Sequence, residues 1–440
     1  MKVMVIGHGA REHVMCEAVT KSAELYTVMK SLNPGIVQLS KEYSLMNESE
    51  GKEIARWAKS KGIDLALIGP EGPEADGVGD ELEAGGIKVA SPTQEAAKIE
   101  TSKEFMRELL DHHNINANPK FGVFESENEA KRFVKELNCR VAIKPIGLTG
   151  GKGVSVYPEH FDSVGGAMER VSEIINEKVG GYSKVLIEEK MEGEEFTLQA
   201  FCDGKSLLPT PPVQDHKRLL EGDCGVNTGG MGSYSQADGL LPFLNRAERE
   251  KSVEILQQVV DGLSKEGIRY KGAIYGQFML TAEGPKVTEI NARWGDPESM
   301  NVLPLLKSDF VELCFGIVEG RLSQKKAEFE PMATVCKYLV PQGYGIKPQA
   351  NEEITVEEDK VKAEGARLYY AAVNRKNGKI FTTSSRSLAV LGLAKGIEEA
   401  EEIAERGSKW VKGKLFMRHD IGKRGLIEKR INHMLALRKK

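Results

Sequence analysis

Residues 289–297 read Glu-Ile-Asn-Ala-Arg-Trp-Gly-Asp-Pro and close an apolar, strand-like run from Pro285 to Ile290. Alternate side chains on a strand share a face, so Glu289 and Asn291 present a carboxylate and an amide oxygen together, with Arg293 just beyond. Hard oxygens beside a cation suit Mg²⁺ carrying nucleotide phosphates, because that ion takes few protein ligands and leaves the rest to phosphate and water. Taken alone, the segment also reads as a solvated strand end leading into a Gly-Asp-Pro turn. Other segments carry matching chemistry.

Gly7-His8-Gly9-Ala10-Arg11-Glu12-His13 follows the first strand and opens a helix. Glycines there let backbone approach a ligand, and a helix N-terminus favours an anion such as a sugar phosphate. The dinucleotide fingerprint is incomplete, since Glu12 stands where its third glycine belongs. Gly69-Pro70-Glu71, after a later parallel strand, faces the same crevice at the strands' carboxyl ends. Lys144 ends an apolar strand and precedes Gly147-Leu148-Thr149-Gly150-Gly151-Lys152-Gly153, a glycine-rich flap whose amides could cover phosphates, with Lys152 as a point charge. The strand Val185–Glu189 runs into Met191-Glu192-Gly193-Glu194-Glu195, which reads either as an acidic hairpin or as a place for an adenine edge and a ribose. Gln214-Asp215-His216-Lys217-Arg218 and Asn227-Thr228-Gly229-Gly230-Met231-Gly232 form a long polar loop, of a kind that more often serves function than packing. His216 in it is a general base or, more commonly for a lone histidine, an orienting residue.

The elements that must hold these groups follow from the pattern. Residues 1–92 alternate strand and helix, with strands at Val3–Ile6, Tyr26–Met29, Leu65–Ile68 and Ile87–Ala90, which predicts a doubly wound parallel sheet. A helix at Thr93–Leu110 opens a second unit, and residues of about 121–190 form a small α+β module within it. From Glu194 the strands read as longer and antiparallel, interrupted by a glycine-rich loop at Gly222–Gly232 and a helix at Arg246–Glu266. Past Phe329 comes a strand-rich third unit closed by a helix at Ile397–Val411. At 440 residues the chain exceeds one core. Its 61 Lys plus Arg against 65 Asp plus Glu give no basic footprint for nucleic acid or a membrane surface. Six scattered cysteines without a Cys-x-x-Cys pair suit reduced thiols. A soluble cytoplasmic protein with small-molecule partners, expected to be a monomer, is the reading.

In chain order these pieces resemble the ATP-grasp carboxylate–amine ligases, and the finer motifs look like the phosphoribosylamine–glycine ligase family of purine biosynthesis. The marks are Gly7 to His13, Gln214 to Arg218, Asn227-Thr228-Gly229-Gly230-Met231-Gly232-Ser233-Tyr234, Arg293-Trp294-Gly295-Asp296-Pro297-Glu298 and Arg418-His419-Asp420-Ile421-Gly422. Departures exist: His8 and Ala10 stand where the family usually has Asn and Gly, and Lys144-Pro145-Ile146-Gly147 replaces its Lys-x-Asp-Gly. Asn291-Ala292-Arg293-Trp294 replaces Asn-Cys-Arg-Phe, and Ser299-Met300 replace Thr-Gln.

The resemblance implies residues 1–92 as a Rossmann-like domain, 93–327 as an ATP-grasp domain with its lid, and 328–440 as a C-terminal α+β domain. It implies ligation of glycine to 5-phosphoribosylamine with ATP as a substrate and Mg²⁺ or Mn²⁺ as cofactor. Lys103, Lys144, Lys152, Glu188, Lys190 and Glu195 would bind ATP, and Gln277, Glu289 and Asn291 the metal. Asp215, Lys217 and Arg293 would sit at the glycine end, with Gly9, Arg11, Glu12 and Glu71 at the sugar. Lys144, Arg293 and Asp215 carry the catalytic expectation.

Overall fold

The computed structural model describes residues 1–147 and 153–439. Five parallel strands open the chain: β1 (Lys2–Ile6), β2 (Glu24–Met29), β3 (Glu42–Leu45), β4 (Leu65–Ile68) and β5 (Lys88–Val89), ordered β3-β2-β1-β4-β5. Both faces are covered, so β1 and β4 are continuous apolar runs without polar alternation. Val3 and Val5 enter one core, and Met4 and Ile6 enter the other. The sequence reading missed β3 and the short helix Pro34–Leu39, although Asn33 caps that helix by accepting from the Gly35 and Ile36 amides. The expected helix Thr93–Leu110 is two helices, Lys98–Thr101 and Lys103–His112. Ser102 breaks the run with an extended backbone and caps the second helix by accepting from Phe105 N–H.

A small antiparallel sheet follows, made of β6 (Phe121–Phe124), β7 (Val141–Pro145), β8 (Ser155–Val156) and β9 (Val185–Glu189) in the order β6-β9-β7-β8. Helices Glu127–Glu136 and Val164–Asn176 bury Ala130, Val134, Ala167, Val171 and Ile174 against it. Next come β10 (Glu194–Cys202), β11 (Leu207–Pro209), β12 (Gln214–Asp215), β13 (Arg218–Leu220), β14 (Cys224–Asn227) and β15 (Gly232–Ser235), then β16 (Gly272–Thr281) and β17 (Gly284–Asn291). The sheet β11-β10-β16-β17 is antiparallel and carries Gln277 opposite Glu289.

The stretch 214–232, read as a long polar loop, holds the β13–β14 hairpin, turned by Gly222 and Asp223 at φ values of 74° and 60°. The strands flanking that hairpin join the C-terminal part of the chain. There, β18 (Ala333–Pro341) is followed by β19 (Glu353–Val356), β20 (Arg367–Tyr370), β21 (Val373–Lys376), β22 (Lys379–Thr382) and β23 (Leu388–Ala394). The order β12-β15-β18-β23-β20 makes one sheet, with β18 buried along its whole length. A last helix, Arg424–Leu437, was not foreseen. It packs back through Arg430 and His433, both paired with Glu194.

Candidate functional site

The strand pair β16–β17 builds the centre. Gln277 and Glu289 are register partners, and Asn291, two residues on, donates its amide to Glu289 Oε1 at 3.4 Å. Lys217 reaches across from the end of β12, with Nζ 2.6 Å from Gln277 Oε1 and 3.8 Å from Glu289 Oε1. The other amide end of Gln277 donates to Glu195 Oε2 at 2.8 Å, which fixes its oxygen toward Lys217. Burial raises the cost of charging Glu289, but Lys217, Lys103 and Lys144 outweigh it and hold the carboxyl down at about 2. Gln277, Glu289 and Asn291 are a hard oxygen set on two adjacent strands, and an ammonium already seats against part of it. Such a set fits a divalent cation of the Mg²⁺ or Mn²⁺ type.

Behind this pair lies a buried triad. Glu188, 1% exposed, accepts from Arg107 Nε at 2.7 Å and from Lys144 Nζ at 2.6 Å. Arg107 is fully buried and also donates to the Val287 and Thr288 carbonyls of β17. The Glu188 carboxylate therefore fixes Lys144 relative to the oxygen set, and Arg107 locks both to β17. Burial opposes ionisation of Glu188, yet the two cations hold its carboxyl below the usual range. Lys103 donates to the Gly147 carbonyl at 3.1 Å, and its ammonium is lowered chiefly by burial. Lys190 follows β9 and bonds through its amide to the Arg140 carbonyl. Lys152 lies outside the described residues.

On β12 and the residues just after it, the period of two sorts the polar side chains. Lys217 faces the oxygen set and Asp215 lies beside Lys217, Glu298 and Arg386, while Gln214 and His216 face inward. Gln214 binds Tyr234 OH and the Glu195 carbonyl, and His216 packs against Tyr234 with Nδ1 3.4 Å from Asp223 and from Arg430. Burial lowers His216 to about 4, so its ring is neutral near pH 7. Asp215 is half-buried, and its Oδ1, which is fully buried, has no hydrogen-bond partner among the described residues. Desolvation, then the neighbouring Glu298, push its carboxyl well up. Glu298 is itself raised by burial and accepts from Tyr275 OH at 2.9 Å.

The carboxyl ends of β1 and β4 meet Arg293 across the crevice. Arg293 lies 3.1 Å from Glu100 and 3.7 Å from Glu71, and Arg11 lies 3.9 Å from Glu71. Burial works against Glu71 ionisation, but Arg293 and Arg11 hold the group at about 2. The first helix is capped from within: Glu12 accepts from Gly9 N–H at 2.6 Å and from Arg11 Nε at 2.6 Å. A Cβ at Gly7, Gly9 or Gly69 would fall within 2.7 Å of the Glu12 side chain. These glycines thus make room for a carboxylate at the helix N-terminus, which is where a dinucleotide pyrophosphate would need to sit.

Sequence reasoning missed the partners that fix these groups. Glu100 accepts from the Ala292 amide at 2.7 Å as well as pairing with Arg293. Arg386 lies 3.0 Å from Asp296, donates to the Gly230 and Asp296 carbonyls at 3.1 Å, and stacks over Tyr338. Asp296, read as a turn residue, also accepts from Tyr338 OH. A cation after a Thr-Thr-Ser-Ser run gave no signal of this.

Three family models match in succession: "Phosphoribosylglycinamide synthetase, N domain" over residues 1–100, "Phosphoribosylglycinamide synthetase, ATP-grasp (A) domain" over 101–299, and "Phosphoribosylglycinamide synthetase, C domain" over 334–424. The phosphoribosylamine–glycine ligase of Methanothermobacter thermautotrophicus is 49% identical over 438 residues, spanning 100% of both chains. That of Methanocaldococcus jannaschii is 48% identical over 445 residues, again spanning 100% of both. A crystal structure of phosphoribosylamine–glycine ligase from Thermotoga maritima superposes with a TM-score of 0.81 at 27% identity, covering 96% of this chain and 100% of that one.

Proposed function

The chain belongs to the phosphoribosylglycinamide synthetase family, and from that premise we propose that it joins glycine to 5-phosphoribosylamine, consuming ATP and yielding glycinamide ribonucleotide, ADP and phosphate. The site observation that carries the reading is the convergence of Gln277, Glu289 and Asn291 with Lys217 and Lys144 at one end of a cleft whose other end holds Arg293.

In this reading a glycine carboxylate oxygen attacks the γ-phosphorus of ATP, ADP leaves, and a glycyl phosphate forms. The sugar amine then attacks the carbonyl carbon, sheds a proton, and expels inorganic phosphate. Neither step needs a covalent enzyme intermediate, so the protein contributes positioning and charge. Lys144, held by Glu188, faces the transferred phosphoryl group with Lys103 alongside, and Lys152 is assigned to the ATP phosphates from the sequence alone. The Lys190 backbone and Glu195 serve the adenosine part, while Glu188, with both oxygens taken by Arg107 and Lys144, acts on ATP only through Lys144. Asp215, a buried carboxylate oxygen without a partner, suits the ammonium of glycine, and Arg293 its carboxylate. Lys217 neutralises charge beside them. Gly9, Arg11, Glu12 and Glu71 line the phosphoribosyl end. Gln277, Glu289 and Asn291 would hold a divalent cation, which would supply charge neutralisation for phosphate oxygens. Mg²⁺ and Mn²⁺ both fit that donor set. We further place residues 1–92, 93–327 and 328–440 as three domains around the cleft, in a monomeric cytoplasmic enzyme. No helix among the described residues is long and apolar enough to cross a membrane.

The test is phosphate release from ATP with glycine and phosphoribosylamine generated in situ, omitting each component in turn. Release that requires both substrates, with product of the expected mass, supports the ligase. Release that ignores either substrate sends the chain to another acid–amine pair.

A further inference from the structure

Consecutive residues of an extended chain point to opposite sides, and at Lys217 and Arg218 the two sides are two parts of the molecule. Lys217 points down to the oxygens of Gln277 and Glu289. Arg218 points up, and both of its terminal nitrogens donate to the two carboxylate oxygens of Glu159, in the loop that follows β8 of the small sheet. A two-pronged guanidinium–carboxylate pair fixes orientation as well as distance. The base from which both side chains project is rigid. The Lys217 carbonyl accepts from Thr228 N–H and Thr228 Oγ1, each at 2.8 Å. The Arg218 carbonyl accepts from Arg418 at 3.0 Å, and Arg418 is fully buried between Asp420 and Asp223. Arg218 also donates to the Gly225 carbonyl at 3.0 Å, so its guanidinium is braced on its own hairpin before it reaches Glu159.

The small sheet β6–β9 is inserted by two chain crossings that run side by side, where Glu189 N–H donates to the Lys120 carbonyl. A body joined along one edge is free to hinge unless a second attachment holds it. Lys184 to Glu104 and Glu188 to Arg107 bind it to the helix Lys103–His112. Glu159 to Arg218 binds it to an element anchored in the C-terminal sheet.

We propose that Glu159 and Arg218 are positioning residues for the ligation: their pair sets the small sheet against the rigid base that carries Lys217, and so keeps that sheet and its Lys144 seated over the Gln277–Glu289 oxygens when the acyl phosphate is exposed to attack. This rests on the ligase reading above. An acyl phosphate that is not captured by amine is lost to water, and seating the two bodies against each other is what excludes water. The pair is half exposed, with side chains 26% and 44% accessible, so its contribution to folding stability is small. Its effect belongs in coupling, not in folding.

The experiment measures ADP formed per glycinamide ribonucleotide formed, together with melting temperature, for the wild-type chain, Glu159→Gln, Arg218→Gln and the double variant. The expected result is a wild-type ratio near one and a ratio raised roughly fivefold in each single variant, with melting temperatures preserved. The double variant is expected to match the singles, because a broken pair cannot be broken twice. A Glu159→Gln ratio equal to wild type overturns the proposal, and so does a double variant in which the two effects multiply. If wild type forms no product at all, the ligase reading fails first, and the two failures are told apart by that control.

Discussion

The two ends of the cleft handle charge in different ways. At the nucleotide end one buried carboxylate, Glu188, serves two cations, Arg107 and Lys144, and a second, Glu289, is faced by Lys217, Lys103 and Lys144. Cations outnumber carboxylates there, and three of the four are lysines, compact charges suited to phosphate oxygens. At the sugar and glycine end arginines dominate, and they are matched: Arg11 and Arg293 meet Glu71, Arg293 meets Glu100, and Arg386 meets Asp296. The lysine end is poised to receive a polyanion. The arginine end is a prebuilt lattice whose forks fix geometry before any ligand arrives.

The comparison is broken most severely at Glu188. Glu188→Gln leaves two buried cations sharing no carboxylate, and a loss of about 3–5 kcal/mol in urea unfolding is expected. Stability unchanged by that substitution would mean that the triad is not the pivot of the lysine end. At the other end Arg293→Ala is expected to lower kcat by at least ~10²-fold while leaving ATP binding in place. An unaltered kcat would remove Arg293 from the reaction. Between the two, Glu289→Gln is expected to weaken Mn²⁺ binding, followed by the metal's own paramagnetic resonance, by roughly tenfold or more. Equal affinity in wild type and variant would take Glu289 out of the metal set.

The smallest effect is a pH dependence shared by both ends, since each rests on a buried neutral histidine. His216 lies beneath β12, and His13 accepts from the Tyr370 amide at 2.9 Å. Burial lowers both to about 4 from an ordinary 6.5. The unfolded chain therefore binds protons first, so stability is full above about pH 6.5 and is lost as pH falls toward 4. The low-lying carboxyls Glu71 and Glu289 contribute loss only below their own ordinary value of 4.5. The raised carboxyls of Asp215 and Glu298 act in the opposite sense over the same window, so the histidine part is read as a difference: His216→Gln is expected to lose less melting temperature, or gain more, than wild type between pH 6.5 and 4.5. Parallel profiles for the two proteins would show that His216 is not held neutral.

What could be read from the sequence was what the strand period determines. Glu289 and Asn291 were placed on a common face by spacing alone, whereas Asp215 and Lys217 were read as part of a loop, because the strand at Gln214–Asp215 is only two residues long. The doubly wound sheet was legible because β1 and β4 are short apolar runs bounded by helix signals. The restraining partners were not legible. Arg107 finds Glu188 across 81 residues, and Arg386 finds the Asp296 carbonyl across 90. Such pairs leave no local pattern. The β13–β14 hairpin was hidden because Leu219 is the one residue its strands bury, and those strands are three and four residues long. The final helix was hidden because only Leu426, Ile427, Met434 and Leu437 bury, among charged neighbours that dilute its apolar stripe.

The central claim is that the glycine carboxylate is activated as an acyl phosphate between these two ends. Glycine labelled with ¹⁸O in both carboxylate oxygens tests it directly, by mass spectrometry of the inorganic phosphate released during turnover with ATP and phosphoribosylamine. The account predicts one ¹⁸O in each phosphate and the other retained in the product amide. Phosphate free of label, formed along with product, would contradict it.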